Sequence, residues 1–254
     1  MKIASWNVNS LRVRLEQVTE WLQATQPDVL ALQETKLPDD AFPTGVFTEL
    51  GYEVLFSGQK TYNGVAVISR LPGTDVIHDL TGMQDDARRV LGATFGDIRV
   101  LNLYVPNGQR VDSEKYAYKL RWFDALARQL AEELQRHKHI VLLGDFNVAP
   151  EDRDVYDPSA WTGQVLVSEP ERKALQSLLD QGLVDTFRLF EQVPNTFSWW
   201  DYRLSGFRRN RGLRIDLILA SQALAERCQD STIDPQPRGL ERPSDHAPVL
   251  ATFQ

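Results

Sequence analysis

The hydrophobic and polar positions in the first part of the chain predict a β-α-β opening. Residues 2–6 form a short apolar segment typical of a strand. Apolar side chains then recur at helical spacing, which predicts an amphipathic helix over residues 12–26. The continuous apolar run 29–32 is typical of a strand buried on both faces, and Glu34 follows it closely.

The next stretch predicts strands joined by short turns. Residues 38–50 show no regular period, so we expect irregular structure there. Gly96-Asp97 is a hairpin signal, which makes the middle of the first half antiparallel. The predicted strands are residues 52–56, 64–69, Val90–Phe95 and Ile98–Tyr104.

The second half repeats the order of helix, buried strand and carboxylate. A helical apolar stripe predicts a long helix over Glu114–Arg136, and a further helix begins at Pro170. The predicted strands are residues 140–143, 215–220 and Val249–Phe253. Because this order appears around both Glu34 and Asp145, we expect an α/β fold with two packed sheets, helices outside, and one domain over residues 1–254.

Polar residues gather where the predicted strands begin or end. They are Asn7, Asn9, Glu34, Asp145, Asn147, Asp216, Asp245 and His246. Oxygen donors of this kind suit Mg²⁺ or Mn²⁺ rather than zinc, and the sequence contains neither a nucleophile elbow nor a P-loop. The set therefore favours metal-assisted hydrolysis with water as the nucleophile.

Each of these positions also has an ordinary structural interpretation. Asp145 and Asn147 could simply terminate a strand, as Asx residues often do, and Tyr104 could be a half-buried strand aromatic. Asp216 lies inside an apolar segment, where a carboxylate is costly unless it is paired. That position favours a functional or hydrogen-bonded role.

Composition excludes only a few classes of protein. The 254 residues are 42% hydrophobic, which is enough for a large core. Cys228 is the single cysteine, so an internal disulfide framework is excluded and a cytoplasmic location is expected. We expect no leader peptide and no membrane span, because no apolar run is long enough. The net charge of −7 counts mildly against a nucleic-acid binder unless positive charge is concentrated on one face.

Two segments supply such positive charge together with aromatic side chains. The first runs from Trp199 to Arg214 and the second, residues 115–119, opens the long helix. Arginines bind phosphates and aromatics stack on bases, so both segments are candidate nucleic-acid contacts. A solvated loop whose aromatic residues cover the core is an equally good explanation for any single residue.

Taken in order, these motifs resemble the exonuclease III family of apurinic/apyrimidinic endonucleases from end to end. No single motif is specific to this family, but the occurrence of all of them in this order is specific to it. They are Ser5-Trp6-Asn7-Val8-Asn9, Leu32-Gln33-Glu34-Thr35-Lys36, Tyr104-Val105-Pro106-Asn107-Gly108, Gly144-Asp145-Phe146-Asn147, Phe197-Ser198-Trp199, Gly212-Leu213-Arg214-Ile215-Asp216 and Pro243-Ser244-Asp245-His246.

The resemblance implies a four-layer α/β sandwich, with two central mixed sheets flanked by helices, and Mg²⁺-dependent cleavage of DNA phosphodiesters, with Mn²⁺ as a substitute. By resemblance, the catalytic residues are Tyr104, Asp145, Asn147, Asp216 and His246. The metal-site residues are Asn7, Glu34, Asp145, Asn147, Asp245 and His246, with Glu34 as the principal ligand. The DNA-binding residues are Asn9, Lys60, Asn107, Lys115, Lys119, Trp199, Arg203, Arg208 and Arg211.

The implied substrate is double-stranded DNA carrying abasic sites or blocked 3′ ends, and the expected form is a monomer. The expected activities are incision 5′ to abasic sites, 3′-to-5′ exonuclease and 3′-phosphatase. Two alternatives remain: an exonuclease that processes 3′ ends with little abasic-site incision, and an inactive nucleic-acid-binding regulator. A regulator should have lost Glu34, Asp145 or His246, and this chain retains all three.

Overall fold

The computed structural model describes residues 1–83 and 85–254. Its strands are β1 (Lys2–Asn7), β2 (Val29–Gln33), β3 (Glu53–Ser57), β4 (Val65–Ser69), β5 (Thr74–Ile77), β6 (Val90–Phe95), β7 (Ile98–Tyr104), β8 (Ile140–Asp145), β9 (Leu183–Asp185), β10 (Trp199–Trp200), β11 (Gly212–Leu213), β12 (Asp216–Ser221), β13 (Cys228–Ile233) and β14 (Val249–Phe253). Its α-helices are α1 (Leu11–Thr25), α2 (Thr44–Glu49), α3 (Glu114–Arg136), α4 (Pro158–Trp161), α5 (Glu169–Leu179) and α6 (Gln222–Ala225).

Twelve of these strands form two six-stranded sheets. The first has the order β13-β14-β1-β2-β4-β3 and the second has the order β5-β6-β7-β8-β12-β9, while β10 and β11 form a separate ribbon. Each large sheet holds one parallel pair among antiparallel neighbours, β1 with β2 and β7 with β8. Both sheets are therefore mixed, as the resemblance implies.

Three large apolar clusters define four layers. One cluster fills the space between the sheets, with Ile3 and Val67 from the first sheet against Val100 and Val141 from the second. A second joins the outer face of the second sheet to α3 and α5, and a third joins the outer face of the first sheet to α1 and α2. The predicted α/β sandwich with helices outside is confirmed.

Several predictions from the sequence need correction. Residues 38–50 were expected to be irregular but contain α2, whose Phe47 is fully buried. The edge strands β5 and β13 were not predicted, because their exposed, polar residues lack the apolar alternation that marks a half-buried strand. Elements with a continuous apolar face, such as α3 and β14, have the predicted bounds.

This topology brings the chemically promising strand ends to one place. Asn7 closes β1, Glu34 follows β2, Tyr104 closes β7 and Asp145 closes β8. The carboxyl ends of these two parallel pairs meet at one edge of the sandwich, where Asn7 of the first sheet donates to Asp145 of the second. The candidate site lies at that edge.

Candidate functional site

Unusual backbone conformations place the first side chains of the site. Glu34 and Asn147 have positive φ angles of 51° and 50°, so the chain turns sharply just beyond β2 and β8. Gly144 has φ 138°, and a Cβ there would lie 1.9 Å from the Leu103 carbonyl oxygen. Only glycine permits β7 and β8 to approach so closely at this point.

Asp145 lies at the centre of a buried hydrogen-bond network. Its Oδ2 accepts from Asn7 Nδ2 at 2.9 Å and Asn147 Nδ2 at 3.1 Å, while Oδ1 accepts from the Asn147 backbone N–H at 2.9 Å. Burial chiefly raises the pKa of Asp145 to about 7, with Asp216 and Glu34 acting in the same direction and His246 against it. A carboxylate in such a setting is suited to exchanging protons near neutral pH.

His246 is held by a carboxylate on the second sheet. Its Nδ1 lies 2.9 Å from Asp216 Oδ2, and its Nε2 lies 3.8 Å from Asp145 Oδ2. Burial alone favours the neutral imidazole, but Asp216 and Asp145 outweigh burial and raise the pKa of His246 to about 10. The two carboxylates therefore favour the charged form of the imidazole, whose Nε2 faces the Asp145 side of the site.

Ser198 also holds the Asp216 carboxylate that pairs with His246. This serine was not singled out from the sequence. Its hydroxyl donates to Asp216 Oδ2 at 2.7 Å and accepts from the backbone N–H groups of Ile215 and Asp216, both at 3.0 Å. Asp216 thus has the paired, hydrogen-bonded role that its place in an apolar strand predicts. The only sequence signal for Ser198 is its position before Trp199.

Asp245 and its neighbour His246 form hydrogen bonds with different residues. Its two oxygens accept from Trp199 Nε1 at 3.0 Å and Asn9 Nδ2 at 2.9 Å. Burial raises the pKa of Asp245, but His246 and these two hydrogen bonds reverse the effect and hold the pKa below its usual value. Asp245 is therefore ionised and fixes the Trp199 indole beside the site.

Asn107, Asn147 and Tyr104 provide hydrogen-bond donors close to Asp145. Asn107 donates to Asn147 Oδ1 at 3.0 Å, which orients the buried Asn147 amide. Tyr104 lies beside Asp145 in the sheet register, and burial, then Glu34 and Asp145, raise the pKa of its phenol well above the usual value. Tyr104 therefore remains a protonated donor next to two carboxylates.

A metal ion fits one part of this arrangement. Ligand-type atoms of Glu34, Asp145 and His246 lie within 4.8 Å of one another, and with His246 charged the two carboxylates are the candidate ligands. Asn7 instead bridges two of them through its Nδ2, which donates to Glu34 Oε1 at 3.0 Å and to Asp145. Lys36 lies 3.0 Å from Glu34 Oε2 and partly neutralises its charge. Two carboxylates so close together, with a tyrosine oxygen nearby, form an oxygen-rich set that suits a hard divalent cation.

Not every residue predicted for the metal site lies in that cluster. Both Asp245 oxygens are taken by Trp199 and Asn9, and Asn147 directs its Nδ2 toward Asp145 and the Val105 carbonyl oxygen. These residues lie beside the cluster, and their part in binding a metal stays a prediction. The structure also adds Ser244, whose hydroxyl donates to the Asn7 carbonyl oxygen at 2.6 Å and accepts from the His246 backbone N–H.

Lys119 is the one predicted DNA contact that the structure contradicts. Its side chain has no exposed surface, because Nζ donates to Glu171 Oε1 at 2.5 Å, to the Asn147 carbonyl oxygen at 2.6 Å and to the Asn107 carbonyl oxygen at 3.1 Å. Burial lowers the pKa of Lys119 and Glu171 opposes that effect. A side chain so enclosed cannot contact DNA; it ties the two loops that carry Asn107 and Asn147 to α5.

Comparison with known proteins decides the family. The model of the endonuclease/exonuclease/phosphatase family matches residues 4–246, which span nearly the whole chain and include every candidate catalytic residue. The chain belongs to the endonuclease/exonuclease/phosphatase family. The predicted fold class and the predicted family relationship are confirmed by this match.

Relatives within the endonuclease/exonuclease/phosphatase family cover the whole chain. Exodeoxyribonuclease III of Haemophilus influenzae is 39% identical over 267 residues, covering 100% of both sequences. A solved 3′ phosphatase from Neisseria, bound to a product DNA hairpin, is 48% identical with a TM-score of 0.98, covering 100% of this chain and 99% of that one. An AP endonuclease from Archaeoglobus fulgidus is 42% identical with a TM-score of 0.96 and the same coverage.

The other predicted DNA contacts reach the surface, and three of them, Asn9, Asn107 and Trp199, bond directly to site residues. Lys60, Asn107, Lys115, Arg203, Arg208 and Arg211 are exposed, and Asn9 and Trp199 are half-buried. We call residues 201–211, which join β10 to β11, the arginine loop. Arg238 lies beneath this loop, with its guanidinium 5.1 Å from the Tyr202 ring centroid and 5.2 Å from that of Phe207. Arg238 therefore holds two aromatic side chains of the loop, and the Tyr202 hydroxyl ties the loop to the Pro243 carbonyl oxygen.

Within the described residues, no helix combines the length and the apolar character that a membrane crossing requires.

Proposed function

We propose that this metal-dependent DNA repair nuclease uses Mg²⁺ to cut DNA 5′ to abasic sites and to process 3′ ends as an exonuclease and phosphatase. The observation that carries the proposal is the convergence of Glu34, Asp145 and His246 within 4.8 Å at the edge shared by both sheets. The family match and the exodeoxyribonuclease III and AP endonuclease relatives support the same reaction class.

Each residue of the site has a chemical task in that reaction. A divalent cation held by Glu34 and Asp145 would supply positive charge against the scissile phosphate. Asp145, buried and bonded to Asn147, is placed to orient and deprotonate the attacking water. The Nε2 of His246 faces Asp145, and in its charged form the imidazole would stabilise the negative charge that develops on the phosphate oxygens.

Tyr104 and Asn147 are assigned to the phosphate itself. The phenol of Tyr104 stays protonated and can donate a hydrogen bond to a phosphate or a leaving oxygen. The Asn147 amide is fixed by Asn107 on one side and by Asp145 on the other. Preorganised donors of this kind favour the transition state because they need no rearrangement as charge develops.

The experiment is a single denaturing gel with three labelled duplexes. One carries a central abasic analogue, one is intact, and one is nicked with a 3′-phosphate; each is incubated with Mg²⁺ or with excess EDTA. We expect a Mg²⁺-dependent cut 5′ to the lesion and removal of the 3′-phosphate, with no reaction in EDTA. Hydrolysis that persists in EDTA would contradict the metal requirement.

A second candidate is an end-processing enzyme with little abasic-site incision. It is favoured by the two Neisseria structures at 48% identity and a TM-score of 0.98, which are a 3′ phosphatase and a 3′-5′ exonuclease. On the same gel this enzyme would remove the 3′-phosphate or shorten the 3′ end but leave the internal lesion uncut. The same catalytic residues serve both candidates.

Three further expectations belong to this proposal. Residues 1–254 act as one domain, the enzyme works as a monomer on double-stranded DNA, and it is cytoplasmic. The shared core between the two sheets supports the first, and the single half-buried Cys228 agrees with a reducing compartment. Light scattering of the free protein and of its DNA complex tests the monomer.

A further inference from the structure

A separate cavity lies on the outer side of Trp199. It has a volume of about 470 Å³, within the range of small-molecule sites. Its walls include Tyr156, Trp161 and Trp199 on one side and Arg203, Leu204 and Arg211 of the arginine loop on the other. We call it the outer pocket. None of the roles assigned above uses Tyr156, Trp161 or the cavity between them and the loop.

The aromatic wall of the outer pocket is held by the fold. Trp161 and Trp199 both pack on a small buried cluster that includes Leu213 of β11. The Tyr156 backbone N–H donates to the Gly212 carbonyl oxygen at 3.1 Å, which ties this segment to the same ribbon. Trp199 is fixed further by its indole N–H bond to Asp245. The two tryptophan side chains are therefore preorganised rather than gathered by a ligand, and the Tyr156 backbone is fixed beside them.

The opposite wall carries charge suited to a phosphate. Asp201 binds the Arg203 guanidinium through three hydrogen bonds of 2.7 to 3.1 Å, which neutralises that arginine. Arg211 is exposed and forms no ion pair with any described residue. Leu204 at the rim is 77% exposed and has a positive φ of 56°, a strained conformation for leucine. The pocket thus combines flat apolar faces, an apolar rim and one uncompensated cation.

We propose that the outer pocket binds an unpaired nucleotide of the DNA substrate, with its base against Trp161 and Tyr156 and its phosphate on Arg211. A base within a duplex offers no free face, whereas an unpaired terminal base does, and stacking on an aromatic side chain stabilises it. This inference rests on the proposed function, because it takes DNA as the substrate. Trp199 links the pocket to Asp245 and His246, so the bound nucleotide lies next to the catalytic site.

The test uses fluorescence of 2-aminopurine at the 3′ terminus of a DNA duplex, in EDTA so that no hydrolysis occurs. In one duplex the fluorescent base forms a one-nucleotide 3′ overhang, and in the other it is paired. We expect the wild-type protein to quench the overhang base. Trp161→Ala should remove at least about half of that quenching and weaken overhang binding at least about fivefold, with paired-end binding changed less than about twofold.

Matched variants distinguish loss of base stacking from a general loss of structure or DNA binding. Trp161→Phe keeps an aromatic face and should retain most of the quenching, whereas Trp161→Leu keeps only an apolar contact and should lose it. Phe190→Ala removes a half-buried aromatic side chain outside the pocket and should match wild type. If the alanine variant does not fold, the Phe and Leu variants give the same comparison.

The outcomes distinguish this inference from the proposed function. Equal quenching in wild type and the Trp161→Leu variant, or equal weakening of overhang and paired ends, would overturn the outer pocket as a nucleotide site. Those results leave Mg²⁺-dependent cleavage intact. Quenching that depends on Trp161 in a protein that cuts none of the three gel substrates would instead support the pocket and contradict the proposed function.

Discussion

At the scale of single residues, the site depends on a few buried groups whose charges are balanced. We expect Asp145→Asn or His246→Ala to lower kcat by about 10²–10⁴-fold, the usual cost of losing an acid-base group. The measurement is initial rate on the abasic duplex at saturating DNA. Asp97→Asn, which alters a carboxylate that is 60% exposed, serves as the control. A near-wild-type rate in either site variant would show that the assigned role is wrong.

Ser198 tests the hydrogen bonds that position Asp216. Ser198→Ala leaves the Ile215 and Asp216 backbone N–H groups without their hydroxyl acceptor and removes one donor to the Asp216 carboxylate. Buried groups left unpaired cost about 1–3 kcal/mol, so we expect the free energy of unfolding to fall by that amount in a urea titration. Ser177→Ala, at an exposed helix position, should change it little. Equal stability of the two variants would refute the network.

The sequence predicted the site residues that lie at strand ends. It did not predict the residues that hold those site residues in place. Glu34, Asp145 and His246 were predicted because each follows or precedes an apolar run, and the fold does bring them together. Ser198 left no comparable signal, because its role arises from contacts with Ile215 and Asp216, which lie 17 and 18 residues further along the chain. Local patterns do not encode such pairings.

At the scale of elements, the buried Lys119 shows how helices position catalytic loops. Its ammonium joins α3 to Glu171 on α5 and to the carbonyl oxygens of two loops. We expect Lys119→Met to destabilise the fold by about 3–5 kcal/mol, because Glu171 is left buried without its partner. It should also lower kcat, because Asn107 and Asn147 lose their common anchor.

A double variant separates these two effects. Combining Lys119→Met with Glu171→Gln removes both charges, so part of the lost stability should return in thermal unfolding, although the Gln amide can accept only one of the two backbone N–H bonds that Glu171 accepts. The loops would still lack the ammonium, so kcat should remain low while KM changes little. Recovery of kcat together with stability would show that Lys119 has only a structural role.

The wrong prediction for Lys119 has a physical reason. A lysine near the start of an amphipathic helix, just after two tyrosines, has the sequence signature of an exposed, anion-binding position. Its actual partner Glu171 lies 52 residues away and is itself held by the Ser168 hydroxyl and backbone at the start of α5. By contrast, α3 was predicted with the observed bounds, because its apolar stripe is a local property.

At the scale of the whole molecule, the net charge of −7 hides an uneven distribution. Carboxylates gather in the site, whereas exposed arginines gather on the arginine loop beside it. A local positive surface of this kind can bind phosphates even on an acidic protein, because nearby charges dominate at physiological salt. The sequence suggested both features but could not show that they adjoin, since Arg208 and Glu34 are far apart in the chain.

This arrangement predicts how DNA binding depends on salt. Each phosphate contact contributes about one unit to the slope of log affinity against log salt, so Arg208→Ala should weaken binding and flatten the slope by about one. Arg128→Ala removes an exposed arginine from α3 on the outer face of the second sheet and should leave the slope unchanged. The measurement is fluorescence anisotropy of a labelled duplex across a salt series in EDTA. Parallel slopes for wild type and the Arg208 variant would mean that this part of the loop does not contact phosphate, and that the acidic protein holds DNA by another face.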